Sequence, residues 1–64
     1  MGDYGREVRK LLLAAGCWAH RRGRGDHEIW KSPLAEKPLT VPDVIKSRHT
    51  ANGILKDAGL PKAF

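Results

Sequence analysis

Hydrophobic residues recur at helical spacing in two stretches, one near each end of the chain. Residues 4–15 and residues 50–58 each place their apolar side chains on one stripe, as an amphipathic helix does. The first stripe consists of Tyr4, Val8, Leu11, Leu12 and Ala15, and the second of Ile54, Leu55 and Ala58. The pattern therefore predicts one helix near each end of the sequence.

Residues with capping chemistry stand next to both predicted helices. Asp3 and Thr50 carry side-chain oxygens that can accept a hydrogen bond from the first free backbone N–H groups of a helix. Gly16 and Gly59 follow the two stripes, where a helix commonly ends in a left-handed residue. These residues predict where the two helices begin and end.

Between the helices the pattern changes to short runs with a period of two. Residues 17–22, 27–32 and 39–41 predict three strands, and the glycines at 23 and 25 predict a hairpin turn between the first two. We expect an α+β fold in which three antiparallel strands lie between two helices, with both helices on one face of the sheet. Residues 1–64 are expected to form a single domain.

The second predicted strand has two faces of different character. One face carries His27, Ile29 and Lys31, and the other carries Glu28, Trp30 and Ser32. The alternation alone does not decide which face is buried. Burial of Trp30, the larger hydrophobic anchor, would leave His27 on the open face.

The charge balance of the chain is basic. Twelve Lys and Arg residues against seven Asp and Glu residues give a formal net charge of +5 and a pI near 9.9. A basic domain favours polyanionic partners, nucleic acid first and an anionic membrane second. Solubility alone is the other interpretation of this charge, because net charge does not determine fold.

Cysteine and histidine usage exclude several kinds of site. Cys17 is the one cysteine, so no internal disulfide is expected, and its apolar neighbours predict that it is buried. Three scattered histidines and one cysteine show no zinc-ligand spacing, so we expect neither a metal nor a small-molecule cofactor. No apolar stretch approaches the ~20 residues that span a bilayer, which predicts a cytoplasmic protein without a membrane partner.

The strongest chemical signal is the run Arg21-Arg22-Gly23-Arg24-Gly25-Asp26-His27. Arginine offers forked donors for phosphate, and glycine allows the backbone, with its N–H groups, to approach a ligand closely. Histidine is the side chain best suited to proton transfer near neutral pH. The run predicts a site for RNA, with His20 and His49 as weaker candidates for RNA contact.

Four motifs in order give the chain a family resemblance. They are the Leu-x-x-x-Gly helix end at residues 12–16, Gly25-Asp26-His27 after the basic turn, Thr40-Val41-Pro42, and the closing Ile-Leu-Lys-x-Ala-Gly-Leu at residues 54–60. With these motifs the chain resembles the HicA-like (YcfA-like) mRNA interferase toxins of toxin–antitoxin modules over nearly its whole length.

The resemblance implies a double-stranded-RNA-binding-domain-like α-β-β-β-α fold and an endoribonuclease that cleaves mRNA. It implies His27 as the general acid or base and a HicB-like antitoxin as the protein partner. The expected RNA-binding residues are Arg21, Arg22, Arg24 and Gly25. A non-catalytic double-stranded-RNA-binding module of the same fold is the alternative, because a fold does not establish nuclease activity.

The chain departs from the family pattern at three places. Asp26 stands where the family usually has serine, and Asp43 stands where a histidine often follows Val-Pro. Asn52-Gly53 is a poorer helix start than usual, since glycine inside a helix costs about 1 kcal/mol relative to alanine. The carboxylate of Asp26 beside His27 predicts weaker catalysis in a site that must receive phosphate.

Overall fold

The computed structural model describes residues 3–64, which form two helices and three strands. In chain order the elements are α1 (Gly5–Ala14), β1 (Trp18–Arg22), β2 (His27–Lys31), β3 (Leu39–Pro42) and α2 (Arg48–Asp57). The strands form one antiparallel sheet in the order β1-β2-β3. The predicted α+β fold and its α-β-β-β-α order are confirmed.

The central strand β2 has one face buried under the helices and one open face. Trp30 is only 4% exposed and is paired with Leu39 on β3 and with Ala19 on β1. The core around Trp30 consists of Val8, Leu12, Cys17, Leu39, Val41, Ile45, Ala51, Ile54, Leu55 and Ala58. The face of β2 that carries Trp30 is therefore the buried one, and His27 lies on the open face.

Helix α1 follows its predicted stripe closely. Val8 and Leu12 are fully buried one helical turn apart, whereas Leu11 is at the edge of the stripe and partly exposed. The Asp3 carboxylate accepts a hydrogen bond from the Gly5 N–H at 2.8 Å. After the helix, Gly16 has a φ of +89°, a conformation that glycine adopts without steric cost.

The predicted start of α2 is wrong by two residues. Ser47, not Thr50, caps the helix, and its hydroxyl accepts a hydrogen bond from the His49 N–H at 3.1 Å. Ala51 joins Ile54, Leu55 and Ala58 in the buried stripe, one buried position more than the sequence pattern predicted. Ser and Thr are both good caps, so capping chemistry alone does not choose between them.

The end of α2 lies against the loop that follows β2. Gly59 has a φ of +87°, and a Cβ atom there would lie 2.8 Å from the Cβ of Leu34. The Ser32 hydroxyl is buried and donates to the Ala58 carbonyl at 2.8 Å. No helix formed by residues 3–64 is both long enough and apolar enough to cross a membrane.

Candidate active site

The turn between β1 and β2 needs glycine at two positions. Gly25 has a φ of +62°, in the left-handed region that side chains disfavour. The Gly23 N–H donates to the His27 carbonyl at 2.8 Å, and a Cβ on Gly23 would lie 3.1 Å from that same oxygen. The Gly23 amide is therefore used to close the hairpin, and it does not serve as the free phosphate donor expected from the sequence.

The His27 ring lies at the start of β2, exposed on the open face of the sheet. Its Nδ1 atom is 3.1 Å from the carbonyl oxygen of Arg24. A carbonyl oxygen only accepts hydrogen bonds, so this contact assigns the proton of the neutral ring to Nδ1. Nε2 is then the ring atom that can accept a proton from a ligand.

A shallow depression of about 330 Å³ lies in front of this ring. Arg24, His27, Ile29 and Thr40 line it. The structure therefore brings Arg24 and His27 together from the predicted basic run. Thr40 adds a hydroxyl group to this lining, and Ile29 adds an apolar side chain.

Arg22 is placed differently from Arg24. It is paired with Glu28 in the sheet register, and directly paired residues of antiparallel strands share a face. Its Nη2 lies 2.7 Å from Asp43 Oδ2, and its Nη1 lies 3.2 Å from Asp43 Oδ1. The Arg22 guanidinium thus forms a two-pronged ion pair with Asp43 on the helix side of the sheet.

This ion pair shifts the titration of both partners in the expected directions. The hydrogen bond and charge of Asp43 raise the pKa of Arg22 above its ordinary value. The hydrogen bond from Arg22 lowers the pKa of Asp43, and burial opposes that shift. Both groups are therefore held in their charged forms, and the pair persists at neutral pH.

Glu28 links this part of the sheet to helix α1. Its Oε1 accepts hydrogen bonds from the Trp30 indole N–H and from Arg9 Nε, both at 3.0 Å. The bond from Trp30, followed by the bond and charge of Arg9, lowers the pKa of Glu28. Arg9 also donates to the Pro42 carbonyl at 2.8 Å. A charge cluster thus lies beside the site, in which two cations and two carboxylates neutralise each other: Arg9, Arg22, Glu28 and Asp43.

The cluster holds the turn that carries the histidine. Arg22 Nη2 donates to the Gly25 carbonyl at 3.3 Å, and the Asp43 N–H donates to the Asp26 carbonyl at 2.7 Å. The two residues that precede His27 are therefore both held, Gly25 by the end of β1 and Asp26 by the residue that follows β3. Asp26 contributes through its backbone, while the recorded hydrogen bond of the His27 ring goes to Arg24.

Arg21 differs from Arg22 in the face it occupies. It is paired with Ile29 of the open face, and the register shifts between Ala19 and Arg21. A β-bulge of this kind exchanges the faces of the residues beyond it. Arg21 is exposed, and its Nη1 lies 3.3 Å from the Arg22 carbonyl.

Sequence reasoning missed Thr40, Asp43 and the link from Glu28 to Arg9. Alternation along residues 39–41 does place Thr40 opposite the buried Leu39 and Val41, so its face was predictable. The Arg9–Glu28 contact joins residues 19 positions apart in the chain, which no local pattern reveals. Within residues 3–64, no group of three or more His, Cys, Asp or Glu side chains is arranged to hold a metal ion.

The chain was compared with known protein families, curated proteins and solved structures. A model of the family described as HicA toxin of bacterial toxin-antitoxin matches residues 5–60, which include both helices, the sheet and the basic turn. No curated protein and no solved structure matches the chain significantly.

Proposed function

The chain belongs to the HicA toxin family and is the toxin of a toxin–antitoxin module, and we propose that it acts as a metal-independent endoribonuclease on mRNA. The arrangement of His27 carries the proposal. Its Nδ1 is occupied by the Arg24 carbonyl, and its Nε2 is left for a ligand in a depression that Arg24 also lines. Cleavage of mRNA would arrest translation, which is how such an enzyme acts as a toxin.

The proposed reaction uses the 2′-hydroxyl of RNA as the nucleophile. His27 Nε2 takes the proton from the 2′-oxygen, which attacks the adjacent phosphorus while the bond to the 5′-oxygen breaks. The 5′-oxygen then takes up a proton from the imidazolium or from water. The RNA strand is thereby cut into one fragment with a 2′,3′-cyclic phosphate end and one with a 5′-hydroxyl end.

Charge develops on the phosphate oxygens during this step and requires donors close to His27. Arg24 lines the same depression, so we assign its guanidinium to the phosphate oxygens. Thr40 lines the same depression, and we propose that its hydroxyl donates a further hydrogen bond. Arg21 and Gly25 flank the site, and we propose that they contact the RNA backbone.

Arg22 has a different proposed role. Its guanidinium already pairs with Asp43 and contacts the Gly25 carbonyl. A phosphate that bound Arg22 would have to compete with a carboxylate 2.7 Å away. We therefore assign Arg22 to holding the turn in place rather than to binding RNA.

The proposed protein partner is a HicB-like antitoxin with an acidic surface. The open face of the sheet presents the positive groups of Arg21, Arg24 and Lys31 on the same side as His27. An acidic surface laid over this face would match its charge and cover the histidine. We place both the mRNA and the partner in the cytoplasm.

The ends of the RNA products test the proposed reaction. Purified full-length protein should cleave single-stranded RNA in the presence of EDTA and leave 2′,3′-cyclic phosphate and 5′-hydroxyl ends. An RNA with a 2′-deoxy sugar at the cleaved position should resist cleavage, because the nucleophile is missing. Products with 5′-phosphate ends, or loss of cleavage on addition of EDTA, would contradict the mechanism.

The variants Arg24→Gln and Arg22→Gln form a matched pair that distinguishes phosphate binding from stabilisation of the turn. Arg24→Gln should slow cleavage by roughly 100-fold, the usual cost of removing one donor to the developing charge. Its melting temperature should not change, because the side chain is exposed. Arg22→Gln should instead lower the melting temperature and slow cleavage less, since it breaks the pair with Asp43. Single-turnover kinetics and thermal denaturation check both expectations, and a larger kinetic loss in Arg22→Gln would reverse the assignment.

A further inference from the structure

The chain has two tryptophans, and they have opposite environments. Trp30 is 4% exposed in the core, whereas Trp18 is 47% exposed at the start of β1. An exposed apolar side chain is ordinary by itself. The position of Trp18 is what calls for an explanation.

Trp18 lies on the same open face as the candidate active site. It is paired with Lys31, which alternates with the buried Trp30 and so faces away from the helices. His27 lies four residues before Lys31 on β2, which places it about 13 Å away along the strand. The open face thus has an indole at one end and the proton-transfer group at the other.

The open face of the three strands carries positive charge and no carboxylate. On the open face, Lys31 lies beside Trp18, and Arg21 lies between Trp18 and His27. Glu28 is the one carboxylate within the three strands, and it binds Arg9 on the helix side. The open face therefore offers positive charge next to an aromatic surface, a combination typical of single-strand binding surfaces.

We propose that Trp18 stacks on an unpaired base of single-stranded RNA whose backbone crosses the open face toward His27. The proposal rests on the proposed function, and it identifies the substrate as unpaired RNA. A base inside a duplex is stacked on both faces, so it can stack on an indole only after it is released from the helix. Arg21 and Lys31 would contact the phosphates between the stacked base and the cleaved bond, so Trp18 helps select where the strand is cut.

Binding measured without cleavage tests the inference. The full-length His27→Ala protein is titrated with a short single-stranded RNA and, separately, with the same RNA annealed to its complement. The single strand should quench the fluorescence of Trp18, since Trp30 is buried, and the duplex should bind more weakly without quenching. Adding Trp18→Ala should weaken single-strand binding by roughly 5- to 150-fold, the usual effect of losing one stacked base.

Two further variants distinguish stacking from general loss of apolar surface. Trp18→Phe should retain most of the affinity, because it keeps an aromatic face. Leu13→Ala, at a leucine that is 59% exposed on α1, should bind like the parent. Unchanged affinity in Trp18→Ala, or equal quenching by duplex RNA, would overturn the inference and leave the exposed indole for a protein contact.

The same set of proteins separates this inference from the proposed nuclease activity. Cleavage by the chain with His27 intact, together with full binding by Trp18→Ala, would retain the activity and reject the stacking role. If the chain with His27 intact does not cleave RNA and Trp18→Ala still weakens RNA binding, the stacking role is supported and the nuclease activity is rejected.

Discussion

Replacing His27 with alanine should reduce RNA cleavage by about 10²- to 10⁴-fold, the usual contribution of a positioned acid or base. The same variant should no longer arrest growth when its expression is induced. The loss follows because Nε2 of His27 is the group proposed to take the proton from the 2′-hydroxyl. Cleavage rates on a defined RNA, and growth after induction, measure the two effects.

The fold should be unaffected by this substitution. His27 is exposed, and its recorded ring contact is one hydrogen bond to the Arg24 carbonyl, so unfolding should shift by no more than about 0.5 kcal/mol. His49→Ala is the matched control, because His49 is also exposed but contributes its backbone N–H, not its ring, to the cap of α2. His27→Ala protein that cleaves RNA at the full rate would remove His27 from the mechanism.

Replacing Leu12 with alanine should have the largest effect on stability. Leu12 is fully buried at the centre of the core, and truncation of such a leucine costs about 2–5 kcal/mol. A chain of 64 residues has about 3–10 kcal/mol of stability in total. Leu12→Ala should therefore unfold partly or fully at physiological temperature, as urea denaturation followed by circular dichroism will show.

The neighbouring residue provides a matched control on the same helix. Leu13 is 59% exposed, so Leu13→Ala removes the same atoms from a position with little packing and should change stability by no more than about 0.5 kcal/mol. Similar denaturation midpoints for the two variants would contradict the assignment of Leu12 to the core.

Much of the fold was predictable because the hydrophobic patterns of the individual helices and strands agree with one another. The helical stripe containing Val8 and Leu12 and the alternation around Trp30 each correspond to an observed buried face. The start of α2 was not predictable, because Ser47 and Thr50 have the same capping chemistry and lie three residues apart. In the structure the earlier of the two, Ser47, caps the helix.

The candidate site was predicted less completely than the fold. The basic run identifies a turn with arginines and a histidine, and the structure does place Arg24 beside His27. The run does not show which of Arg21 and Arg22 lies on the open face. Regular alternation would have put Trp18 and Arg22 on one face, whereas the register shift after Ala19 puts them on opposite faces.

The amino-acid sequence by itself determined the order of the elements, the glycine turn, the family motifs and the separation of His27 from Trp30 on opposite sides of β2. These features depend on residues close together in the chain, where backbone geometry alone relates one side chain to the next. The tertiary structure decided that Arg22 pairs with a carboxylate. Asp43, 21 residues beyond Arg22, lies beside it because β3 pairs with β2, whereas Arg24 lines the depression beside the histidine.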